Sequence, residues 1–419
     1  MSQHNQRGGG GPPQHPGHPQ QAQAYPQPQQ GQAYPQQGQA YPQQGQGQSH
    51  AVAPASVPAA HETLWKMGLA FTVIGCLVGL GLNFYVLVYL SRNQAGFGDM
   101  LSRMGFSALI AYLPVVLYLF IPWFVDRYDP EPWWALLGVF MWGALFATGM
   151  SIVINTVLGG VFGPAFGTVV SAPFFEELTK GLAILGMVVF LKREFDGVVD
   201  GIIYGTFVAI GFAATENVIY YMRGYDTLAK SGASNIFVLR GILTPWLHPF
   251  FTAMTGVGFG LAREHASSWA KVVFPFLGFC VAVFMHAWWN GTATFFPDAV
   301  IINLLLGVLM GLVFFLIIIA LVYRKGRTIK KFLEDEVLIG TMSHEEYALI
   351  TSYFGRFTAL SRYGRPGVQF VRSGARLALS KWHAARAMKG QKRTVSMDFI
   401  VPLRQDLARL RAEMHARRR

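Results

Sequence analysis

Eight apolar stretches, near residues 66–90, 105–125, 133–157, 169–191, 199–222, 241–262, 272–296 and 299–323, follow one another with only short polar joints. Each approaches the ~20 residues that an α-helix needs to cross ~30 Å of hydrocarbon. Inside lipid every backbone N–H and C=O must be paired within the protein, so such a run folds as a helical bundle. The expected fold is all-α, a polytopic membrane bundle of about eight transmembrane helices. Composition agrees, because 13% of the residues are charged, against roughly 25% in a soluble chain. Cys76 and Cys280 both fall in apolar stretches, which excludes a disulfide framework and a cysteine-based zinc site.

The flanks differ from the bundle, which occupies residues 61–323. Residues 1–60 are rich in Gln, Pro, Gly and Tyr and repeat GQAYPQQ at Gly31–Gln37 and Gly38–Gln44. Too few apolar side chains are present to offset the entropy of ordering, so this tail is expected to be disordered. Residues 324–419 carry 21 Lys and Arg against 8 Asp and Glu, so the net charge of +12 belongs to this tail. Helices are expected there near 344–361, 371–388 and 402–417, mixing apolar with basic residues as surface-lying or partner-binding helices do.

Orientation rests on the last flank. The loops are nearly balanced, with Arg127, Lys192, Arg193, Arg263 and Lys271 on one side and Arg92, Arg103, Arg223, Lys230 and Arg240 on the other. Arg324, Lys325, Arg327, Lys330 and Lys331 place the end of the eighth span in the cytoplasm. Both termini are then cytoplasmic in a plasma membrane, with the basic tail on anionic lipid. Nucleic acid is not an expected partner, because no aromatics interleave with the basic residues in a binding motif. The loop DRYDPEPWW, Asp126 to Trp134, reads as a structural helix entry, with Pro132 at the helix start and a Trp pair in the interfacial belt.

The spans are not uniformly apolar. Glu176, Glu177 and Lys180 sit in the middle of the fourth, and Glu216, Asn217, His248, His286 and Asn290 lie in later ones. A charge at the bilayer centre costs at least ~2.5–3.5 kcal/mol, so such residues face a protein interior or a water-filled cavity. At 1.5 Å per residue, Glu176 lies roughly 22 Å from the cytoplasmic end of its span, and Glu216, His248 and His286 roughly 9, 10 and 15 Å from their outer ends. Four spans running in alternating directions thus place these groups in one outer half, as a shared site requires. A carboxylate can activate water as a base. Carboxylates with imidazoles can also hold zinc with an open position for water. A structural ion cluster remains open too, since Glu176 and Lys180 are i,i+4 and Glu177 and Lys180 i,i+3.

Four motifs in order, EELTK (Glu176–Lys180), GFAATENVIY (Gly211–Tyr220), HPFFTAMTG (His248–Gly256) and HAWWN (His286–Asn290), resemble those of PrsW-type intramembrane proteases, which are similar to the type II CAAX prenyl-endopeptidases. The likeness covers roughly 66–323. It implies an endopeptidase that cuts a membrane-anchored protein near the outer leaflet, an anti-sigma factor in some members. Carried over, Glu176 and Glu177 match the essential glutamate pair, one of which activates water. His248 shares that water or a metal. His286 with Asn290 polarises the scissile carbonyl. Lys180 and Glu216 complete the catalytic set, although the CAAX enzymes place a histidine where Glu216 stands. The implied metal ligands are Glu177, His248 and His286, with zinc as the ion and a metal-free glutamate mechanism as the alternative. Two other classes compete: an ion- or proton-coupled transporter, for which no convincing internal repeat is found, and a non-enzymatic membrane scaffold.

Overall fold

A computed structural model of the chain describes residues 59–91, 97–125, 128–192, 194–225, 235–265, 267–389 and 395–416. Nearly all of the N-terminal tail, and Arg92, Asp126, Arg127, Arg193 and Lys230 of the loops, lie outside the described residues. Among the described residues every regular element is a helix. In order these are α1 (Ala59–Ser91), α2 (Phe97–Tyr112), α3 (Val115–Val125), α4 (Trp133–Met141), α5 (Thr148–Phe162), α6 (Pro164–Phe166), α7 (Ala172–Phe190) and α8 (Val198–Arg223). Then follow α9 (Asn235–Phe237), α10 (Leu247–Glu264), α11 (Ala270–Phe295), α12 (Val300–Leu338), α13 (His344–Thr351), α14 (Gly355–Lys389) and α15 (Ile400–Ala416). Wider π-helical turns, Trp142–Ala147, Gly167–Ser171 and Val238–Leu243, lie between α4 and α5, α6 and α7, and α9 and α10.

Six helical segments are long and apolar enough to cross a membrane: Thr63–Tyr89, Gly98–Pro122, Trp133–Phe162, Val198–Arg223, Ala270–Phe295 and Pro297–Leu338. The chain is a multi-pass membrane protein. The remaining two expected spans fold as α7 and α10, of 19 and 18 residues. They fall short in apolarity because α7 holds Glu176, Glu177 and Lys180, and α10 holds His248, Arg263 and Glu264.

Small residues let the inner helices approach closely. A Cβ on Gly201 of α8 would meet the Gly256 carbonyl oxygen of α10 at 2.1 Å, and a Cβ on Gly256 would meet that of Gly201 at 2.0 Å. A Cβ on Gly278 of α11 would likewise lie 2.4 Å from the Met254 carbonyl oxygen of α10. These backbone-to-backbone crossings set α8, α10 and α11 side by side, with their polar residues at one level.

The C-terminal tail packs onto the bundle rather than lying apart as a surface element. Leu333, Ile350, Phe370, Leu377 and Leu410 share a core cluster with Phe250, Phe314 and Ile318. Its helices also differ from the expected limits: α12 runs on to Leu338, and α14 is one long helix broken at Gly364, where φ is 66°. Much of the basic charge turns inward, for a physical reason. Buried carboxylates at the ends of the spans need counter-charges. Arg376 Nε lies 3.0 Å from Asp129 Oδ1 and its Nη2 2.6 Å from Glu194 Oε2. Lys325 pairs with Asp200 at 3.2 Å, and Arg386 with Glu264 at 3.2 Å. Burial pushes the Asp129 carboxyl up, but Arg376, Lys325 and Arg372 more than offset this and hold it below its ordinary range. The same loop is tied to α8 by Tyr204, whose hydroxyl donates to Glu131 Oε2 at 2.5 Å.

Candidate active site

The polar residues of four helices meet at one cavity of about 800 Å³. Glu176 comes from α7, Glu216 from α8, His248 from α10, and His286 and Asn290 from α11. Glu176 and Glu177 are neighbours on a helix, so about 100° of rotation separates them and they meet different partners.

Glu177 is wholly enclosed and fully engaged. Its Oε2 accepts the Thr252 hydroxyl at 2.8 Å. Its Oε1 accepts Lys180 Nζ at 2.8 Å and lies 3.0 Å from His286 Nδ1. A carboxylate oxygen only accepts, so the His286 ring donates from Nδ1 and keeps a lone pair on Nε2. Glu176 is differently placed. Asn155 Nδ2 approaches its Oε1 at 3.4 Å, and Asn155 is itself oriented by the Ser171 hydroxyl at 2.7 Å. Glu176 Oε2 is buried and has no hydrogen-bond partner among the described residues. It lies 3.8 Å from both Lys180 Nζ and His286 Nε2.

His248 repeats the pattern of His286 with a second carboxylate. Its Nε2 lies 3.1 Å from Glu216 Oε2 and therefore donates, while Nδ1 faces Lys180 Nζ at 3.3 Å. Each imidazole is thus held by one carboxylate and turns its other nitrogen inward. A carboxylate that fixes the far nitrogen of a histidine is the usual support of a metal-binding ring. The two rings meet edge to face, with centroids 5.1 Å apart, and Phe251 stacks on His286 at 5.2 Å. Lys180 is also fully buried and lies 4.1 Å over the Phe212 ring.

The residues fit a metal. Ligand atoms of Glu176, His248 and His286 all lie within 4.8 Å of one another. Two imidazoles and a carboxylate suit zinc and leave a fourth position for water. The unpartnered Glu176 Oε2 is the kind of atom that such an ion would satisfy. Charge also allows it, since three carboxylates, Glu176, Glu177 and Glu216, are paired with two basic residues, Lys180 and Arg240, among the described residues.

The set brought together differs from the expected one in one member. The group of ligand atoms within 4.8 Å holds Glu176 with the two histidines, while the oxygens of Glu177 meet Thr252, Lys180 and His286. Asn290 lines the cavity, but its amide donates to the Thr168 carbonyl at 3.0 Å and so holds the wider turn before α7. Several contributors were not singled out from the sequence. Arg240 binds Glu216 through Nη2 and Asn217 through Nε, and lies 4.0 Å over the Tyr220 ring. The available signals were an asparagine inside an apolar stretch for Asn155, and the i,i+4 spacing from His248 for Thr252.

Comparison with known proteins covers this same region. The family model described as PrsW family intramembrane metalloprotease matches residues 131–322. Protease PrsW of Bacillus subtilis is 31% identical over 166 residues, which are 38% of this chain and 70% of that protein. Protease PrsW of Geobacillus kaustophilus is 28% identical over 188 residues, 39% of this chain and 79% of that protein. Protease PrsW of Clostridioides difficile is 25% identical over 183 residues, 42% of this chain and 75% of that protein. No solved structure matches the chain. Glu176, Glu177, Lys180, Glu216, His248, His286 and Asn290 all lie inside the matched region, whereas α13, α14 and α15 lie beyond it.

Proposed function

This chain belongs to the PrsW family of intramembrane proteases, and from that premise we propose that it hydrolyses a peptide bond of a membrane-anchored protein at the cavity bordered by Glu176, His248 and His286. The observation that carries the reading is the convergence of Glu176, His248 and His286, with Glu177 and Glu216 each holding one imidazole. Zinc is the proposed ion, with Glu176, His248 and His286 as its ligands. When bound it would polarise a carbonyl and lower the pKa of a coordinated water. Glu177 fixes the tautomer of His286 and Glu216 that of His248. Lys180 balances the charge of Glu177, and Asn155 with Ser171 orients Glu176.

One contact favours the metal-free alternative. Lys180 Nζ lies 3.3 Å from His248 Nδ1, so the amine already occupies part of the space a metal would fill. In that reading Glu176 takes the proton of the attacking water and Lys180 stabilises charge developing on the carbonyl oxygen.

The finer proposals are an anti-sigma factor as substrate, cleavage near the outer leaflet of a plasma membrane, cytoplasmic termini, and anionic lipid beneath the basic tail. The family resemblance, the depth of the polar residues and the basic flank support them. The test is cleavage of single-span membrane proteins by purified enzyme. Glu176→Gln, His248→Ala and His286→Ala are each expected to abolish it while leaving insertion intact. Loss under a chelator with recovery on adding zinc favours the metal. Full activity under chelation favours the Glu176–Lys180 mechanism. Normal cleavage by His286→Ala removes that residue from the mechanism.

A further inference from the structure

At the start of α14 the tail exposes a cluster of apolar side chains. Phe354, Phe357 and Leu360 are 58%, 55% and 52% exposed, and Tyr353 beside them is exposed as well. Phe354 ends the turn before α14 and Phe357 and Leu360 lie in its first turns, each three residues after the last and on one side of the chain, while Gly355 and Ala359 on the other side are buried. Arg362 and Arg365 follow and are exposed. Gly364, with φ of 66°, and the buried Pro366 then separate this first stretch of α14 from the remainder, which lies against Asp129 and Glu194.

The level of this face relative to the membrane follows from its contacts. The apolar run of α12 ends at Tyr323, after which Arg324 and Lys325 begin the charged part. Beyond Leu338 the chain turns through Gly340, at φ 76°, and heads back. Thr341 Oγ1 donates to the Glu336 carbonyl at 2.9 Å, and six residues later the Tyr347 hydroxyl donates to the Lys330 carbonyl at 3.4 Å. Thus α13 runs down α12 towards the hydrocarbon. Lys330 is roughly 10 Å past Tyr323, and the last turn of α13 covers roughly 6 Å of that. The start of α14 therefore arrives near the level of Tyr323, where aromatic side chains settle at the membrane interface.

We propose that residues 353–363 form an interfacial foot that seats Phe354, Phe357 and Leu360 in the cytoplasmic leaflet, with Arg362 and Arg365 on anionic headgroups of the same bilayer. An apolar face flanked by arginines is the pattern of helices that lie in the interface plane. The foot gives the proposed lipid contact of the tail a definite place, which Arg372 and Arg376, engaged with Asp129 and Glu194, cannot supply. It rests on the multi-pass reading and not on the proteolytic one.

The test uses the full chain in nanodiscs of phosphatidylcholine with phosphatidylglycerol. In a Cys76→Ala/Cys280→Ala background, Phe357→Cys and Leu360→Cys are each labelled with an environment-sensitive fluorophore, with Glu334→Cys as an exposed reference. The expected result is blue-shifted emission at both foot positions, quenched by lipids bearing a nitroxide high on the acyl chain, and neither effect at 334. Adding Arg362→Glu/Arg365→Glu should weaken the quenching in mixed bilayers and leave pure phosphatidylcholine bilayers unchanged. Emission at 357 and 360 matching that at 334, quenched by aqueous iodide and not by lipid nitroxide, overturns the proposal. The outcome is independent of cleavage, so Glu176→Gln in the same background must give the same spectra, and failure of the protease reading would leave it standing.

Discussion

Replacing Arg376 with methionine keeps most of its aliphatic stem and deletes a guanidinium that serves two carboxylates. Its Nε reaches Asp129 Oδ1 and Oδ2 at 3.0 and 3.3 Å, and its Nη2 reaches Glu194 Oε2 at 2.6 Å. The Asp129 side chain is 7% exposed, so its charge is not recovered by water. Removing one partner of a fully buried pair costs about 3–5 kcal/mol. Here the cost is smaller, because Arg376 is 27% exposed and Arg372 stays 3.3 Å from Asp129. The expected loss is about 2 kcal/mol. Asp129→Asn in the Arg376→Met background should then cost much less than in the wild type, giving a coupling energy of about 1–2 kcal/mol. The assay is denaturant unfolding in a fixed detergent at pH 7, above the range in which Asp129 takes up a proton. The Asp129 pKa is depressed, so its stabilisation is present above the ordinary carboxylate range and fades as pH falls below it. Strictly additive single and double variants would refute the clamp between tail and bundle.

Arg240→Ala should lower metal affinity or activity about 10–100-fold through Glu216 and His248, with Arg240→Lys recovering part, as read by zinc titration and by kcat and KM. Gly256→Val should prevent assembly of folded protein, because the new Cβ meets the Gly201 carbonyl oxygen at 2.0 Å; size-exclusion profiles in detergent check it. In the tail, His383 is lowered to about 3 by burial, then by Arg263 and Arg386. Its stabilisation is complete above about 6.5 and declines as pH falls, by about 2 kcal/mol at pH 5. Asp196 is raised to about 7 by burial, then by Asp200 and Asp129, and stabilises increasingly as pH falls over the same window. Wild-type Tm should therefore change little from pH 7 to pH 5, while His383→Gln makes it rise on acidification and Asp196→Asn makes it fall.

The spans were legible because hydrocarbon imposes a length and an apolarity that the sequence must meet. Glu176, Glu216, His248 and His286 were legible for the converse reason, since a titratable group in lipid needs a purpose. The division of labour between Glu176 and Glu177 was not, because adjacent residues share a depth and only the helix rotation separates their partners. Arg240 was hidden at the edge of an apolar stretch, where a cation reads as a loop residue. The docking of the tail was hidden too. Arg376 and Asp129 are 247 residues apart, and nothing local to either announces the other.

The most direct measurement of the central claim is mass spectrometry of the products when purified enzyme meets a single-span membrane protein in water enriched in oxygen-18. The account predicts one solvent oxygen in the new C-terminal carboxylate with wild-type enzyme, and no product with Glu176→Gln. Undiminished, labelled product from Glu176→Gln would contradict it, since hydrolysis would then proceed without the carboxylate on which the site is built.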